Sequence, residues 1–134
     1  MDKDTTGLLI LTNDGELTNH LTHPRFHVDK VYRLKISGEV TKGQLNALRS
    51  GVLLDDGITA PALVSVLKNN IIEMKIHEGR NRQIRRMCET VGIKLLELER
   101  IKFGSLTMDS LAIGKFRKLS TKEIQSLRNA GKKI

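Results

Sequence analysis

The chain holds a single cysteine, Cys88, and no tryptophan. One thiol can form neither an internal disulfide nor a zinc site built on several thiolates, so a reducing, cytoplasmic compartment suits it. Aromatic residues are few: Tyr32 is the one tyrosine, and Phe26, Phe103 and Phe116 are the phenylalanines. That scarcity argues against a binder that stacks one unpaired base after another. A folded nucleic acid, or one flipped base, fits the composition better. No apolar run approaches the ~20 residues of a membrane span, and the longest, Gly7 to Leu11, is strand length. The acidic N-terminus lacks the basic and then apolar order of a secretory signal. There is no glycine-rich turn of the dinucleotide type and no GxxxxGK[ST] loop, which leaves nucleotide-cofactor chemistry unsupported. His20 and His23 lie three apart, but Pro24 breaks the helix before His27 and no clear fourth ligand follows, so no metal centre is expected.

What is present is charge, unevenly spread. The 134 residues carry a net charge of +8. Residues 1–74 hold 8 Lys/Arg against 9 Asp/Glu, whereas residues 75–134 hold 15 against 6. A half this basic suits a polyanion, because phosphate contacts by Lys and Arg release condensed counterions. With 39% hydrophobic residues the chain is long enough to bury one core.

Short strands and helices alternate along it. Leu8–Thr12 reads as a strand, turned by Asn13-Asp14-Gly15, with Asp14 capping a helix over Glu16–Leu21 that His23-Pro24 stops. Lys30–Ser37 reads as a strand, and Thr41 caps a helix through Arg49 that Gly51 ends. Ala62–Lys68 and Ile71–Ile76 form a hairpin about Asn69-Asn70. In the helix Arg82–Val91, residues Ile84, Met87, Cys88 and Val91 make one buried stripe, which makes Cys88 a core residue; Gly92 closes it. Leu95–Phe103, Ser105–Met108 and Phe116–Leu119 read as strands. Thr121 then caps a last helix ended by Gly131, and Lys132-Lys133-Ile134 frays. The fold class is α+β, a mixed, largely antiparallel sheet with helices packed on it.

Three groups of residues could carry chemistry. Asp2-Lys3-Asp4-Thr5-Thr6-Gly7 feeds an acidic cluster into an apolar strand; a carboxylate there is either a nucleophile or base at the sheet's end, or a cap in a solvated loop. Glu78-Gly79-Arg80-Asn81-Arg82-Gln83-Ile84-Arg85-Arg86 places four arginines within seven positions at a helix start. Such a cluster repels itself without an anion nearby, and helix N-termini attract anions. One arginine could pair with a catalytic carboxylate and the others with phosphates; the plainer reading is a basic exposed helix. In Lys30-Val31-Tyr32, the tyrosine faces either a cleft or the core.

Taken together these segments resemble the bacterial ribosomal pseudouridine synthases, over nearly the whole chain. Asp2-x-Asp4-Thr5-x-Gly7-Leu8-Leu9 with Leu11-Thr12-Asn13-Asp14-Gly15-Glu16-Leu17 is similar to that family's catalytic segment. Leu21-Thr22-His23-Pro24-Arg25, Lys30-Val31-Tyr32, Glu78–Met87 and Leu98-x-Arg100-Ile101-x-Phe103-Gly104 follow in the family's order. The resemblance implies an RNA uridine isomerase, acting on ribosomal RNA with the large subunit slightly favoured, that needs no cofactor and no metal and works as a monomer. It implies Asp2 as the catalytic aspartate, Tyr32 as the residue packing against the target uracil, and Arg85 as the partner of the catalytic carboxylate. Lys30, Arg80, Arg82 and Arg86 become RNA-binding positions. Family members carry Gly-Arg-Leu before the aspartate, where this chain has Met1, and a small RNA-binding domain further upstream. Residues 1–134 are therefore expected to be an N-terminally truncated catalytic domain. The alternatives are a catalytically silent RNA-binding fragment and a ribosome-associated structural module.

Overall fold

Apolar residues alternate along Lys30–Ile36 and Ile71–Ile76, and alternation in a half-buried strand sends one set of side chains to each face. Leu34, Ile36, Ile72, Met74 and Ile76 are buried, while Arg33 and Lys35 on the other face are exposed. The computed structural model describes residues 3–23, 26–108 and 111–131. Its strands are β1 (Thr5–Gly7), β2 (Lys30–Ile36), β3 (Leu53–Leu54), β4 (Gly57–Ile58), β5 (Leu63–Lys68), β6 (Ile71–Ile76), β7 (Leu95–Phe103) and β8 (Leu106–Thr107). The helices are α1 (Gly15–Thr22), α2 (Lys42–Ser50), α3 (Gln83–Val91) and α4 (Thr121–Arg128).

The main sheet runs in the order β1-β7-β2-β6-β5, with β8 folded back on β7, and β3 and β4 form a separate small hairpin. All pairs are antiparallel except β1 with β7, which are parallel. This is the α+β architecture expected. Two cores hold it. One lies between the sheet and helices α2 and α3, with Leu34, Leu48, Met74, Met87 and Cys88 at its centre. The other gathers Leu17 and Leu21 of α1, Val28, Phe103, Leu106 and Leu127 of α4.

Four expectations about elements are corrected. Leu8–Thr12 is not a strand. The strand is Thr5–Gly7, and main-chain pairing to β7 ends where the Leu8 N–H donates to the Arg100 carbonyl at 2.8 Å. Beyond it no strand among the described residues offers a partner, and Leu9 and Leu11 are exposed. Phe116–Leu119 forms no strand either; Phe116 is exposed while Leu119 packs on the second core. The cap of α4 is Ser120, not Thr121. Its hydroxyl accepts from the Glu123 N–H at 3.1 Å, and the Glu123 carboxylate accepts from the Ser120 N–H at 2.9 Å. That reciprocal box needs a spacing of three, which Thr121 and Glu123 lack. The helix ends at Arg128, ahead of Gly131. The stop at His23 is observed, whereas Pro24 and the tail Lys132-Lys133-Ile134 lie outside the described residues.

Candidate active site

A cavity of about 550 Å³ opens where the two cores meet, within the range of small-ligand sites. Its apolar walls come from both cores: Leu21 and Phe103 from one, Ile76, Ile84 and Leu98 from the other. Tyr32 and Lys30 from β2, Arg100 from β7, Thr5 from β1 and the 78–83 loop complete it.

A β-bulge sets this arrangement. Lys30 lies opposite Phe103 and Tyr32 opposite Arg100, so Ile101 is the extra residue on β7. Strict alternation would send Arg100 and Phe103 to opposite faces. The bulge resets the alternation, and both line the cavity, as bulges beside functional sites often do. Arg100 is one of the few buried charged residues, at 8% exposure. Its Nε donates to the Leu8 carbonyl at 2.9 Å, and its guanidinium lies 4.8 Å from the Phe103 ring centroid. Lys30, equally buried, has its Nζ 5.8 Å from the same ring. Burial first, and then the charge of Arg100, pull the Lys30 ammonium below the ordinary lysine range.

The arginine loop divides into two pairs. Arg80 donates to the carbonyls of Gly57 and Ile58 at 3.0 and 2.8 Å and pairs with Glu78 at 3.1 Å. Arg86 forks onto the Asp56 carboxylate at 3.0 and 3.2 Å and donates to the Asn81 carbonyl at 2.9 Å. Arg86 thereby holds the Asp56 carboxyl below its usual range. These two arginines brace the loop against the β3–β4 hairpin, where the sequence reading gave them phosphates. Arg82 and Arg85 reach the N-terminal segment instead. Arg85 Nη2 donates to the Asp4 carbonyl, and Arg82 Nη1 lies 3.5 Å from the Asp4 carboxylate. Arg82 itself adopts a left-handed conformation with φ of 50°, uncommon for a residue with a Cβ and typical of loops held at a site.

Of the residues singled out in the sequence, Lys30, Tyr32, Arg80 and Arg82 line the cavity; Arg85 and Arg86 do not. Asp2 lies outside the described residues. Arg85 meets the chain two residues after it. The sequence reading passed over Arg100, Phe103 and Asp56 as site residues. The signal for Asp56 was the Asp55-Asp56-Gly57 turn between apolar residues, a hairpin sequence. No sequence rule signals the bulge that brings Arg100 and Phe103 together. His20 serves the frame: its Nε2 lies 2.7 Å from the Ala130 carbonyl and ties α1 to the residues after α4. Cys88 is buried in the first core, and burial pushes its thiol up to about 12, far from a reactive thiolate.

Residues 1–90 match the family model for RNA pseudouridylate synthase. The chain is 42% identical to the ribosomal large subunit pseudouridine synthase B of Bacillus subtilis (strain 168), over 96% of this chain and 55% of that protein. It is 39% identical to the ribosomal large subunit pseudouridine synthase E of Xanthomonas campestris pv. campestris, over 87% of this chain and 73% of that protein. With the ribosomal small subunit pseudouridine synthase A of Yersinia pestis it shares 35% identity, over 95% of this chain and 55% of that protein. A crystal structure of a pseudouridylate synthase superposes with a TM-score of 0.90 at 35% identity, covering 95% of this chain and 56% of that one. The chain thus spans about half the length of most of these relatives.

Proposed function

The chain belongs to the RNA pseudouridylate synthase family, and from that premise we propose that it isomerises a uridine of ribosomal RNA with Asp2 as the reacting carboxylate. The observation that carries the reading is the juxtaposition of two things. One is a cavity with apolar walls and Tyr32 in its lining; the other is the arginine helix α3 holding the segment that follows Asp2.

Uridine must lose its N1–C1′ bond, have its base turned, and regain a bond through C5. A base stacked in a helix cannot do this, so it is flipped into a pocket. The cavity is large enough for such a base, and Tyr32 in its lining packs against it while it turns. Asp2 acts at the ribose, as a nucleophile at C1′ or as a base toward C2′. Both routes need an ionised carboxylate, and Arg85 is the cation that keeps it so. Arg82, exposed at the cavity rim, and Lys30 of β2 contact the RNA; Arg80 and Arg86 hold the loop that presents Arg82. The large subunit is favoured because the relatives named for it are more similar to this chain than the one named for the small subunit. By the same family reading residues 1–134 lie within the catalytic domain, and the enzyme works in the cytoplasm as a monomer without cofactor or metal.

The test is isomerisation of 5-tritiated uridine in folded ribosomal RNA fragments. The reaction replaces the C5–H bond by a C–C bond, so tritium enters water as the product forms. Release from a large-subunit fragment supports the reading, and release from a small-subunit fragment alone moves the substrate. Salt-sensitive RNA binding with no release would leave a silent RNA-binding unit.

A further inference from the structure

We propose that Lys30 and Arg100 together hold the negative charge that the uracil ring takes on when its bond to the ribose breaks. This rests on the function proposed above and assigns its leaving-group site.

Both cations are 8% exposed and line the same cavity, and both sit on the Phe103 ring. Two like charges buried side by side are costly, unless a negative or electron-rich group enters between them. The carboxylates nearest to Lys30 in effect are Asp29 and Glu78. Asp29 pairs with Lys75 at 3.4 Å. Glu78 accepts from the Ala60 N–H at 2.7 Å and Gln83 at 3.1 Å through Oε1, and pairs with Arg80 through Oε2. Neither carboxylate hydrogen-bonds the Lys30 ammonium. Among the described residues the Lys30 side chain makes no hydrogen bond, and that of Arg100 uses only Nε, on Leu8. The ammonium and both Nη groups are left to serve whatever occupies the cavity.

The reaction supplies a transient anion of the right shape. When the N1–C1′ bond breaks, its electron pair stays on N1 and spreads over O2 and O4 of the ring. On the ribose side Asp2 either bonds to C1′ or takes the C2′ proton and later returns it. After the ring turns, C5 uses the ring's electrons to bond C1′ as Asp2 leaves or reprotonates C2′. C5 then loses its proton to solvent and N1 gains one, which gives a neutral product isomeric with uridine. The ring is anionic only between bond cleavage and bond formation. Fixed, buried cations that meet charge only at that stage lower the barriers on both sides of it. A backbone phosphate, by contrast, is charged throughout and would contribute affinity and not rate.

The test starts from barbiturate, an anion at neutral pH with the shape of uracil, titrated against uracil on the chain by NMR or calorimetry. The wild type should prefer barbiturate by about tenfold or more, as expected for a charge-assisted contact. Lys30→Met, which keeps the aliphatic stem, should erase most of that preference, and Lys30→Arg should restore part of it. Arg100→Met also loses the bond to Leu8, so Lys30→Met is the primary variant. In single-turnover assays on RNA the Lys30→Met defect should fall on bond cleavage. It should shrink on 5-fluorouridine, whose ring is the better leaving group. Equal binding of uracil and barbiturate by the wild type overturns the proposal. So does displacement of barbiturate by inorganic phosphate together with a flatter salt dependence of RNA binding in Lys30→Met, which would mark a backbone site. In Lys30→Met, loss of the anion preference with tritium release at the wild-type rate sinks only this inference. A preserved preference without tritium release sinks the proposed function and leaves the ring-anion site standing.

Discussion

A Cβ built on Gly7 would overlap the Arg100 carbonyl oxygen, and the φ of +100° there is one that residues with a side chain rarely adopt. Parallel pairing of β1 with β7 brings the two backbones that close, and Arg100 also grips the Leu8 carbonyl from its side chain. Gly7→Ala should therefore cost about 1–3 kcal/mol of stability, measured by urea unfolding, and lower activity further than that loss explains. A Gly7→Ala variant as stable and active as wild type would show that the β1–β7 contact does not position the N-terminal segment. Lys30 should behave in the opposite sense. Its ammonium is buried beside Arg100 without a hydrogen bond, so Lys30→Met should raise stability by about 0.5–2 kcal/mol while lowering turnover. A drop in both would make Lys30 a structural residue.

Helix α4 depends on its first turn, where Arg117 holds Glu123 at 2.6 Å and Ser120 completes the capping box. The Arg117 hydrogen bond comes first, and the bond from the Ser120 N–H second, in pulling the Glu123 carboxyl from 4.5 down to about 2. A carboxyl lowered on folding stabilises above its unfolded value, and that contribution is lost as pH falls through the folded one. NMR titration of Glu123 should thus give a midpoint near 2, with the cap failing between about pH 4.5 and 2. Arg117→Ala should move the midpoint up; no movement would remove Arg117 as the cause. Ser120→Ala should cost about 1 kcal/mol. At this scale the sequence was legible wherever a local rule decides. The Ile84, Met87 and Cys88 stripe, the Asn69-Asn70 hairpin, the Thr41 cap and the Leu95–Phe103 strand all follow from spacing or turn chemistry. Leu8–Thr12 misled because β propensity does not say whether a neighbour exists to pair with. The β3–β4 hairpin escaped because each strand has two residues, too few for alternation to register. Tyr32 became a site candidate only through the family resemblance; its neighbours in sequence left its face open. Arg100 and Phe103 needed the bulge, which arises from tertiary pairing.

Across the molecule, the basic second half of the chain should make RNA binding fall with salt. Arg82→Ala should lower the slope of log affinity against log salt by about one unit, the loss of one phosphate contact. Arg86→Ala should leave the slope nearly unchanged, because Arg86 is spent on Asp56 and Asn81. Equal changes in the two variants would mean that the intramolecular bonds of Arg86 give way to RNA. The central claim concerns Asp2. Arg85 and Arg82 hold Asp4, and Gly7 and Arg100 fix the strand behind it, so the segment is anchored for a reacting carboxylate at its start. The most direct measurement compares Asp2→Asn with wild type for tritium release from 5-tritiated uridine in ribosomal RNA and, in the same preparation, for RNA affinity. Tritium release should vanish while affinity stays within about twofold, because a reacting carboxylate lends chemistry and not phosphate contact. Release by Asp2→Asn at the wild-type rate would contradict the assignment.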